Sequence, residues 1–539
     1  MDLGGNLLIS YPLIQVFLYL FSIGFIHITA PPPLPKTSIK SRFFISFVSN
    51  ILRGGLSFAT GLIIARGLGP SNYGDFVFLL GSFAAIRQLL DLGTSSAFFT
   101  FLSNKPRDLK FIISYALWQL FQFLFPLLLI GLILPNDIIN SIWLGKERSL
   151  ILLSFASVFL KEQAWNTLVQ IGESNRLTHQ VQTWSILIAT IHLALIAGIW
   201  KFNLFSVEFL FSLIILEYLI ATAAAFKSLY IYHPEAKESH WQEMFNDYRA
   251  FCTPLIFSSF VGFLGMFADR WLLQNFGGSH EQGFFGVGHQ FAAISLIATM
   301  SMYNIFWKEI AEAHENQNLE RVHFLFKKVC RFLYMAGGFI SCYLVYWTED
   351  IVKFTLGSSY LGGTQAVIIM FFYPIHQCLG QIIAAMFLAF KNTKTLMLFY
   401  MLTTVTGIIV SYFLMAPKDA WIPGLNTGST GLALKTVILQ IVFANIGIWW
   451  IDRTHGWKFD WSYQVIGLAT TLILSYFAFA ITNEISNLIS INLFWKLGLH
   501  LIIYILFLGS FLWNFPGQAG LNRDEIRDYL SHFVRVFKR

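Results

Sequence analysis

Charged residues are scarce in this sequence. Asp, Glu, Lys and Arg make up 12% of its 539 residues, whereas soluble domains contain about 25%. Hydrophobic residues account for 56% of the chain, and the mean hydropathy is +0.61. A water-soluble fold could not bury so much apolar surface, so lipid is the expected solvent for most of the chain. The composition therefore excludes a soluble multi-domain enzyme.

Cysteine is scarce as well. The four cysteines lie in or beside apolar segments, and none has Cys-x-x-Cys spacing, so neither a disulfide framework nor a metal site is predicted. The formal net charge of +7 is not gathered in a compact basic domain, which argues against a nucleic-acid partner. We therefore expect no metal, no cofactor and no nucleic acid.

Long apolar runs are abundant, and they predict an all-α bundle of about fourteen transmembrane helices. The predicted spans lie at 43–65, 76–101, 111–134, 150–171, 181–200, 206–231, 251–275, 284–306, 331–347, 365–388, 396–415, 430–451, 462–482 and 494–513. A further apolar stretch at 6–28 precedes a proline-rich break. It is either a fifteenth span or a non-native leader added by an upstream start, and we favour the leader.

The distribution of Lys and Arg predicts the orientation of these spans, because cytoplasmic loops retain basic residues. With the segment before the first span inside, inner loops and ends hold 24 of the 36 Lys and Arg residues, and outer loops hold eight. The expected organisation is an extra segment at 1–35, an N-lobe of helices 1–6 at 36–250, a C-lobe of helices 7–12 at 251–451, helices 13 and 14 at 452–521, and a basic amphipathic tail at 522–539 on the cytoplasmic membrane surface.

Two parts of the chain are similar and predict an internal repeat. Arg66 is followed after 17 residues by Phe-Ala-Ala-Ile at 83–86, and Arg270 is followed after 21 residues by the same tetrapeptide at 291–294. Both copies run in the same direction through the predicted membrane. Two six-helix halves of parallel topology, followed by a further helix pair, account for the pattern.

The residues around the first copy resemble a known family. The matching segments are LIIARGLGPSNYGDF at 62–76, Asp91-Leu-Gly93, Asp269-Arg270-Trp-Leu-Leu, and Gly357-Ser-Ser-Tyr360 in a predicted outer loop. Together they resemble Wzx-type polysaccharide biosynthesis proteins, the lipid-linked oligosaccharide flippases of the multidrug/oligosaccharidyl-lipid/polysaccharide (MOP) exporter superfamily. The resemblance extends from about Lys36 to helix 14.

The resemblance implies a fold and a function. The fold would be two pseudo-symmetric six-helix lobes, as in MATE transporters, plus the C-terminal helix pair. The function would be to move undecaprenyl-diphosphate-linked oligosaccharide across the bacterial inner membrane by alternating access, for O-antigen, capsule or exopolysaccharide synthesis. The expected partners are this lipid-linked glycan, membrane lipid, and the polymerase and glycosyltransferases of the same pathway, and we expect a monomer.

The first predicted helix has one polar face, on which Asn50, Arg53 and Ser57 recur at helical spacing. Arg53 lies about 15 Å from the inner end of this helix at 1.5 Å per residue, so it falls near the middle of the membrane. A charge at that depth is costly and usually functional. We therefore predict that this face binds the diphosphate of the substrate through Arg53.

Arg87 and Asp91 fall at a similar depth in the second predicted helix. We predict that Arg87 binds the same diphosphate and that Asp91 holds Arg87 or a coupling cation while the site is empty. A structural alternative remains open, in which the two residues form a neutral pair four positions apart that fastens the helices.

Four further charges are candidates for coupling or gating. Glu217 lies near the middle of helix 6, where it could couple transport to H⁺ or Na⁺, or form a cross-helix pair. Arg66, Asp269 and Arg270 lie near the outer boundary, where a role in a loop turn or as a gate pair is expected.

Two other functions compete with this one. A multidrug exporter of the same superfamily would bind organic cations, yet two arginines lie among the predicted midplane charges. A membrane polymerase or glycosyltransferase would place catalytic residues in a large outer loop, and the predicted outer loops have no more than about 20 residues. A purely structural scaffold would not need charged faces at mid-depth. The sequence therefore predicts a transporter of an anion, not an enzyme.

Overall fold

The computed structural model describes residues 39–231, 239–489 and 492–527, with backbone alone at 39–44, 294–308 and 311. The predicted segment at 1–35 and residues 528–539 of the predicted tail lie outside the described residues. Throughout the described ranges the regular structure is helical, without strands. The α-helices are α1 (Ile39–Asp91), α2 (Thr94–Asn104), α3 (Leu109–Leu128), α4 (Asn136–Trp143), α5 (Arg148–Phe159), α6 (Trp165–Ser174), α7 (Thr178–Lys201), α8 (Val207–Leu229), α9 (Trp241–Glu315), α10 (Leu319–Val345), α11 (Thr348–Leu356), α12 (Thr364–Phe371), α13 (Tyr373–Ala389), α14 (Thr393–Met415), α15 (Gly428–Thr454), α16 (Ser462–Leu488) and α17 (Leu493–Asn514).

Eleven helical segments of the described chain are long and apolar enough to cross a membrane, so this is a multi-pass membrane protein. The two longest, α1 and α9, each contain two predicted spans. Gly69 in α1 (φ 72°) and Gly278 in α9 (φ 74°) leave the helical conformation where the sequence predicts outer loops. At each predicted outer loop the chain therefore leaves the helical conformation only at one glycine. The count of fourteen crossings stays a prediction.

Three other predicted spans are interrupted in the structure. The span predicted at 76–101 breaks at Leu92 and Gly93, which both have positive φ. The span predicted at 150–171 contains a π-helical turn, Leu160–Ala164, between α5 and α6. The span predicted at 365–388 divides at Phe372, two residues before Pro374 in the first turn of α13. Hydropathy averages over such breaks, because the residues on both sides remain apolar.

The described chain packs into two compact units. One unit contains residues 39–60 and 78–267, and the other contains 61–77 and 268–527. In the first unit, aromatic and aliphatic side chains of α2, α3, α6, α7 and α8 form one buried cluster. In the second unit, α10, α13 and α15 contribute most of the largest cluster. The predicted lobes at 36–250 and 251–451 stay a prediction.

Two glycine turns meet within the second unit. Gly74 and Gly283 each lie five residues after the glycine that breaks their helix. A Cβ atom at Gly74 would collide with the Ser279 carbonyl, and a Cβ atom at Gly283 would collide with the Pro70 carbonyl. Backbone meets backbone at this contact, so neither position has room for a side chain.

The start of the predicted C-terminal tail is held against α10. Lys328 Nζ donates to Glu525 Oε1 at 2.5 Å, and the Asn522 N–H donates to Glu525 Oε2 at 3.0 Å. The hydrogen bond from Lys328 lowers the pKa of Glu525. The second contact is the return half of a capping box, so a short helix begins here. Residues 523–527 are helical, and the amphipathic membrane-surface helix at 522–539 stays a prediction.

Candidate functional site in the first unit

Arg87 and Glu162 form an ion pair inside the first unit. Arg87 Nε donates to Glu162 Oε2 at 3.1 Å, and Arg87 Nη1 donates to the side-chain carbonyl of Gln163 at 3.1 Å. The Arg87 and Glu162 side chains are 26% and 35% exposed, so the pair is partly shielded. The two partners of Arg87 both lie in the π-helical turn Leu160–Ala164. Such turns occur frequently at functional sites.

Asp91 lies at the break between α1 and α2. Its Oδ1 accepts a hydrogen bond from the Ser95 N–H at 3.1 Å, where the positive end of α2 favours a carboxylate. Gln163 Nε2 also donates to this oxygen, at 3.3 Å, and so links Asp91 to Arg87. In the structure Arg87 pairs with Glu162 on another helical segment. The sequence suggested instead that Asp91 would contact Arg87.

Arg53 lies on α1 in the same unit. Its guanidinium donates to Asn50 Oδ1 at 3.0 Å, and the pair is exposed. Ser57 lies one turn further along the helix and is also exposed. The predicted polar face of the first helix therefore carries two exposed side chains, Arg53 and Ser57.

Glu217 pairs with a histidine of the preceding helix. Glu217 Oε2 lies 2.7 Å from His192 Nδ1, and its side chain is only 7% exposed. The other carboxylate oxygen is buried without a hydrogen-bond partner among the described residues. Both residues lie near the middle of their helices, α7 and α8. The structure shows the cross-helix pair that the sequence left open, and the coupling role of Glu217 stays a prediction.

Asp269 has a different set of contacts, inside the second unit. Its Oδ2 accepts from Lys435 Nζ at 2.5 Å, and its Oδ1 accepts from Ser411 Oγ at 2.6 Å. The neighbouring Arg270 instead donates to the Val77 carbonyl at 3.2 Å. Asp269 therefore forms a partly buried ion pair with α15, and the gating role of Asp269 and Arg270 stays a prediction.

Arg66 caps a helix. Its guanidinium donates to the carbonyls of Phe354 and Thr355 at 2.9 and 3.4 Å, at the C-terminal end of α11 (Thr348–Leu356). A cation at this position satisfies carbonyls that have no partner in the helix and complements its dipole. The geometry supports a role in the loop turn.

An Arg66→Met substitution is expected to be mild. It keeps the aliphatic stem but removes the cap, which should destabilise the protein by about 1 kcal/mol. Thermal unfolding of the purified protein in detergent, followed by the helical circular dichroism signal, measures the change. Complete loss of transport in a folded Arg66→Met protein would contradict a purely structural role.

Three functional candidates are missing from the sequence prediction. Glu162, His192 and Lys435 each pair with a residue on another helix. The available signal was an ionisable side chain within an apolar run, which is itself an indication of function. Their partners could not be read from the sequence, because helix packing brings them together.

Comparison with known proteins identifies the fold. No family model and no curated protein matches the chain. The structure is similar to that of the lipid II flippase MurJ in an inward closed conformation, with a TM-score of 0.63 over 88% of this chain and 99% of that one, at 16% identity. The chain has the MOP-superfamily transporter fold.

Two other structures with this fold agree. A MOP superfamily transporter from Pyrococcus furiosus matches with a TM-score of 0.55 and 14% identity, over 77% of this chain and 95% of that one. A multidrug resistance MATE family transporter in an outward-facing conformation matches with a TM-score of 0.52 and 16% identity, over 78% and 96%. The expected MATE-like architecture is therefore confirmed at the level of the MOP fold.

Proposed function

We propose that this chain is a flippase that moves undecaprenyl-diphosphate-linked oligosaccharide across the bacterial inner membrane by alternating access. The glycan would serve O-antigen, capsule or exopolysaccharide synthesis. The protein works as a monomer with its C-terminus in the cytoplasm and is not an enzyme. It receives its substrate from glycosyltransferases and delivers it to a polymerase. The partly shielded Arg87–Glu162 pair is the observation that carries the proposal.

A diphosphate needs cations to cross an apolar medium, where a bare charge costs several kcal/mol. Arginine suits this role because its planar guanidinium binds two oxygens at once. In the structure, Arg87 already binds one carboxylate and one amide oxygen. In this proposal phosphate oxygens take the places of these oxygens, and Arg53 contributes a second cation.

Glu162 competes with the substrate in this scheme. An incoming diphosphate displaces its carboxylate from Arg87, and the returning carboxylate helps to release the diphosphate on the other side. The His192–Glu217 pair offers a site at which H⁺ uptake could drive the cycle. Na⁺ is the alternative coupling ion, with Asp91 and Glu217 as its candidate ligands.

Reconstitution tests the proposal. The purified protein is placed in vesicles that contain undecaprenyl-diphosphate-linked N-acetylglucosamine, and accessibility of the sugar to an added galactosyltransferase reports its appearance in the opposite leaflet. We expect transfer that depends on the protein. Transport of ethidium without movement of the lipid would support the multidrug exporter, for which the carboxylates of Glu162 and Glu217 would be the cation ligands.

A Glu162→Gln substitution is expected to tighten binding of undecaprenyl diphosphate about tenfold. The neutral amide competes less strongly for Arg87 because the ion pair is lost, and hydrogen bonds to charged groups contribute about 1.5–3 kcal/mol. Transport should slow because release is impaired. Titration of the detergent-solubilised protein with undecaprenyl diphosphate measures the affinity. The matched control is Glu147→Gln, which removes an exposed carboxylate elsewhere in the same unit. Equal affinity in wild type and Glu162→Gln would show that Glu162 does not compete.

A further inference from the structure

A small cavity of about 30 Å³ lies inside the second unit, near the start of α10 and the end of α15. The sequence predicts that both of these ends are on the inner side of the membrane. Charged and titratable side chains of α10, of α15 and of the loop before α16 line the cavity. They are His323, Lys327, Arg331, Asp452, Lys458 and Asp460. Such a wall indicates either internal ion pairs or a ligand that carries charges of both signs.

Internal contacts account for half of these side chains. Arg331 Nη2 donates to Asp460 Oδ2 at 2.6 Å, and Arg331 Nη1 donates to the Gly517 carbonyl at 2.7 Å. His323 stacks on Trp457, with 4.5 Å between the ring centroids. Arg331, Asp460 and His323 are therefore held by other parts of the protein.

Asp452, Lys327 and Lys458 keep hydrogen-bonding capacity for a ligand. Asp452 is only 5% exposed, yet its carboxylate forms no hydrogen bond and no ion pair with a described residue. The charge of Lys327 acts on Asp452, but neither Lys327 nor Lys458 forms a hydrogen bond or an ion pair within the described chain, and both are exposed. A buried carboxylate is costly without a partner. The cavity thus joins a buried acid to two exposed cations.

Exposed tryptophans flank this end of α15. Trp449 and Trp450 lie in its last turns, and Trp461 lies in the loop that follows. Tryptophan is enriched where a membrane helix meets the headgroup layer. Basic pockets between membrane helices on the cytoplasmic side bind lipid headgroups. A phospholipid headgroup is therefore the class of ligand that this cavity meets.

We infer that this cavity binds the ethanolamine phosphate headgroup of a membrane phospholipid. The ammonium group enters the cavity and pairs with the Asp452 carboxylate, while the phosphate pairs with Lys327 and Lys458. A water-sized group needs about 10–15 Å³, so a cavity of about 30 Å³ accepts a primary ammonium and excludes the bulkier trimethylammonium of phosphatidylcholine. All of these contacts lie within the second unit, and the inference does not depend on the proposed function.

Three phospholipids with the same dioleoyl chains test this inference. Native mass spectrometry of the full chain, delipidated in detergent, measures the affinities for phosphatidylethanolamine, phosphatidylcholine and phosphatidylglycerol. Wild type should bind phosphatidylethanolamine about tenfold more tightly than either of the others, because only its headgroup can donate a charge-assisted hydrogen bond to Asp452. Soluble O-phosphoethanolamine should compete with it, since the headgroup carries the recognition.

Two variants assign the contacts. Asp452→Asn should abolish the preference for phosphatidylethanolamine and leave weak binding of all three lipids. Lys458→Gln should weaken binding of all three lipids several-fold and keep the preference, because the phosphate is common to them. The matched control, Asp419→Asn, removes an exposed carboxylate from another loop of the same unit and should behave like wild type. Unfolding temperatures in lipid-free detergent show whether each variant is folded.

Several results would overturn the inference. Equal binding of the three lipids by wild type would show that the headgroup is not recognised, and tighter binding of phosphatidylglycerol would indicate a site for anionic lipid instead. An unchanged preference in Asp452→Asn would remove this carboxylate from the site. Binding of soluble O-phosphoethanolamine without binding of the lipid would exclude a membrane ligand. If Asp452→Asn does not fold, Lys458→Gln still decides, since wild-type affinity in that exposed variant would contradict the phosphate contact.

Discussion

Replacement of Arg87 by Ala is expected to abolish movement of lipid-linked glycan to the outer leaflet. The variant loses two hydrogen-bond donors at the proposed diphosphate site. Hydrogen bonds to charged groups contribute about 1.5–3 kcal/mol each, so transport should fall at least about 100-fold. Arg53→Ala, which removes the second cation, should have a similar effect. The vesicle assay with undecaprenyl-diphosphate-linked N-acetylglucosamine measures the rates.

Folding must be separated from binding in this experiment. Arg87→Ala leaves Glu162 without its partner, which could destabilise the protein by itself. The double variant Arg87→Ala/Glu162→Gln removes that unpaired charge, so it should unfold like wild type and still fail to transport. Arg321→Ala is the matched control, because it breaks an exposed ion pair with Glu309, and such pairs contribute little. Normal transport in both Arg53→Ala and Arg87→Ala would remove these arginines from the site.

Lys435→Met is expected to destabilise the protein by about 1–3 kcal/mol. The substitution leaves Asp269 inside the second unit with only Ser411 as a partner, so a partly buried carboxylate loses its counterion. The side chain of Lys435 is only 11% exposed, so water cannot replace it fully. Thermal unfolding in detergent should show a clear decrease in midpoint temperature.

The double variant Asp269→Asn/Lys435→Met should recover most of the lost stability, because the pair is then replaced by neutral groups. If the pair only fastens helices, the double variant also transports normally. If Asp269 gates transport, as the sequence suggested, the double variant is stable and inactive. Equal unfolding temperatures for wild type and Lys435→Met would show that this pair does not stabilise the fold.

The sequence predicts the membrane character of the fold well, because a span must be apolar whatever its neighbours are. The predicted spans fall within observed helices, apart from short ends. The interruptions at Gly93 and Phe372 could not be predicted by hydropathy, since they lie inside apolar runs. The π-helical turn at Leu160–Ala164 could not be predicted either, because hydropathy does not distinguish a π-helical from an α-helical hydrogen-bond pattern.

The candidate site was predicted in part. Arg53 and Arg87 stand out in the sequence because they are cations in apolar helices, and the structure pairs Arg87 with Glu162. Glu162 was not selected, although it occurs in a predicted span, because only tertiary packing brings it to Arg87. For Asp91, the spacing from Arg87 suggested a local ion pair. The helix breaks directly after Asp91, and its carboxylate instead accepts a hydrogen bond from the Ser95 N–H at the start of α2.

The contact between Gly74 and Gly283 limits how the two copies of the repeat can diverge. Each copy supplies the carbonyl that fills the space of the other copy's missing side chain. A substitution in one copy would therefore displace the turn in both, and a compensating change would have to move a backbone. In the predicted repeat, this contact is therefore a point at which neither copy can accept a side chain while the other keeps its backbone in place.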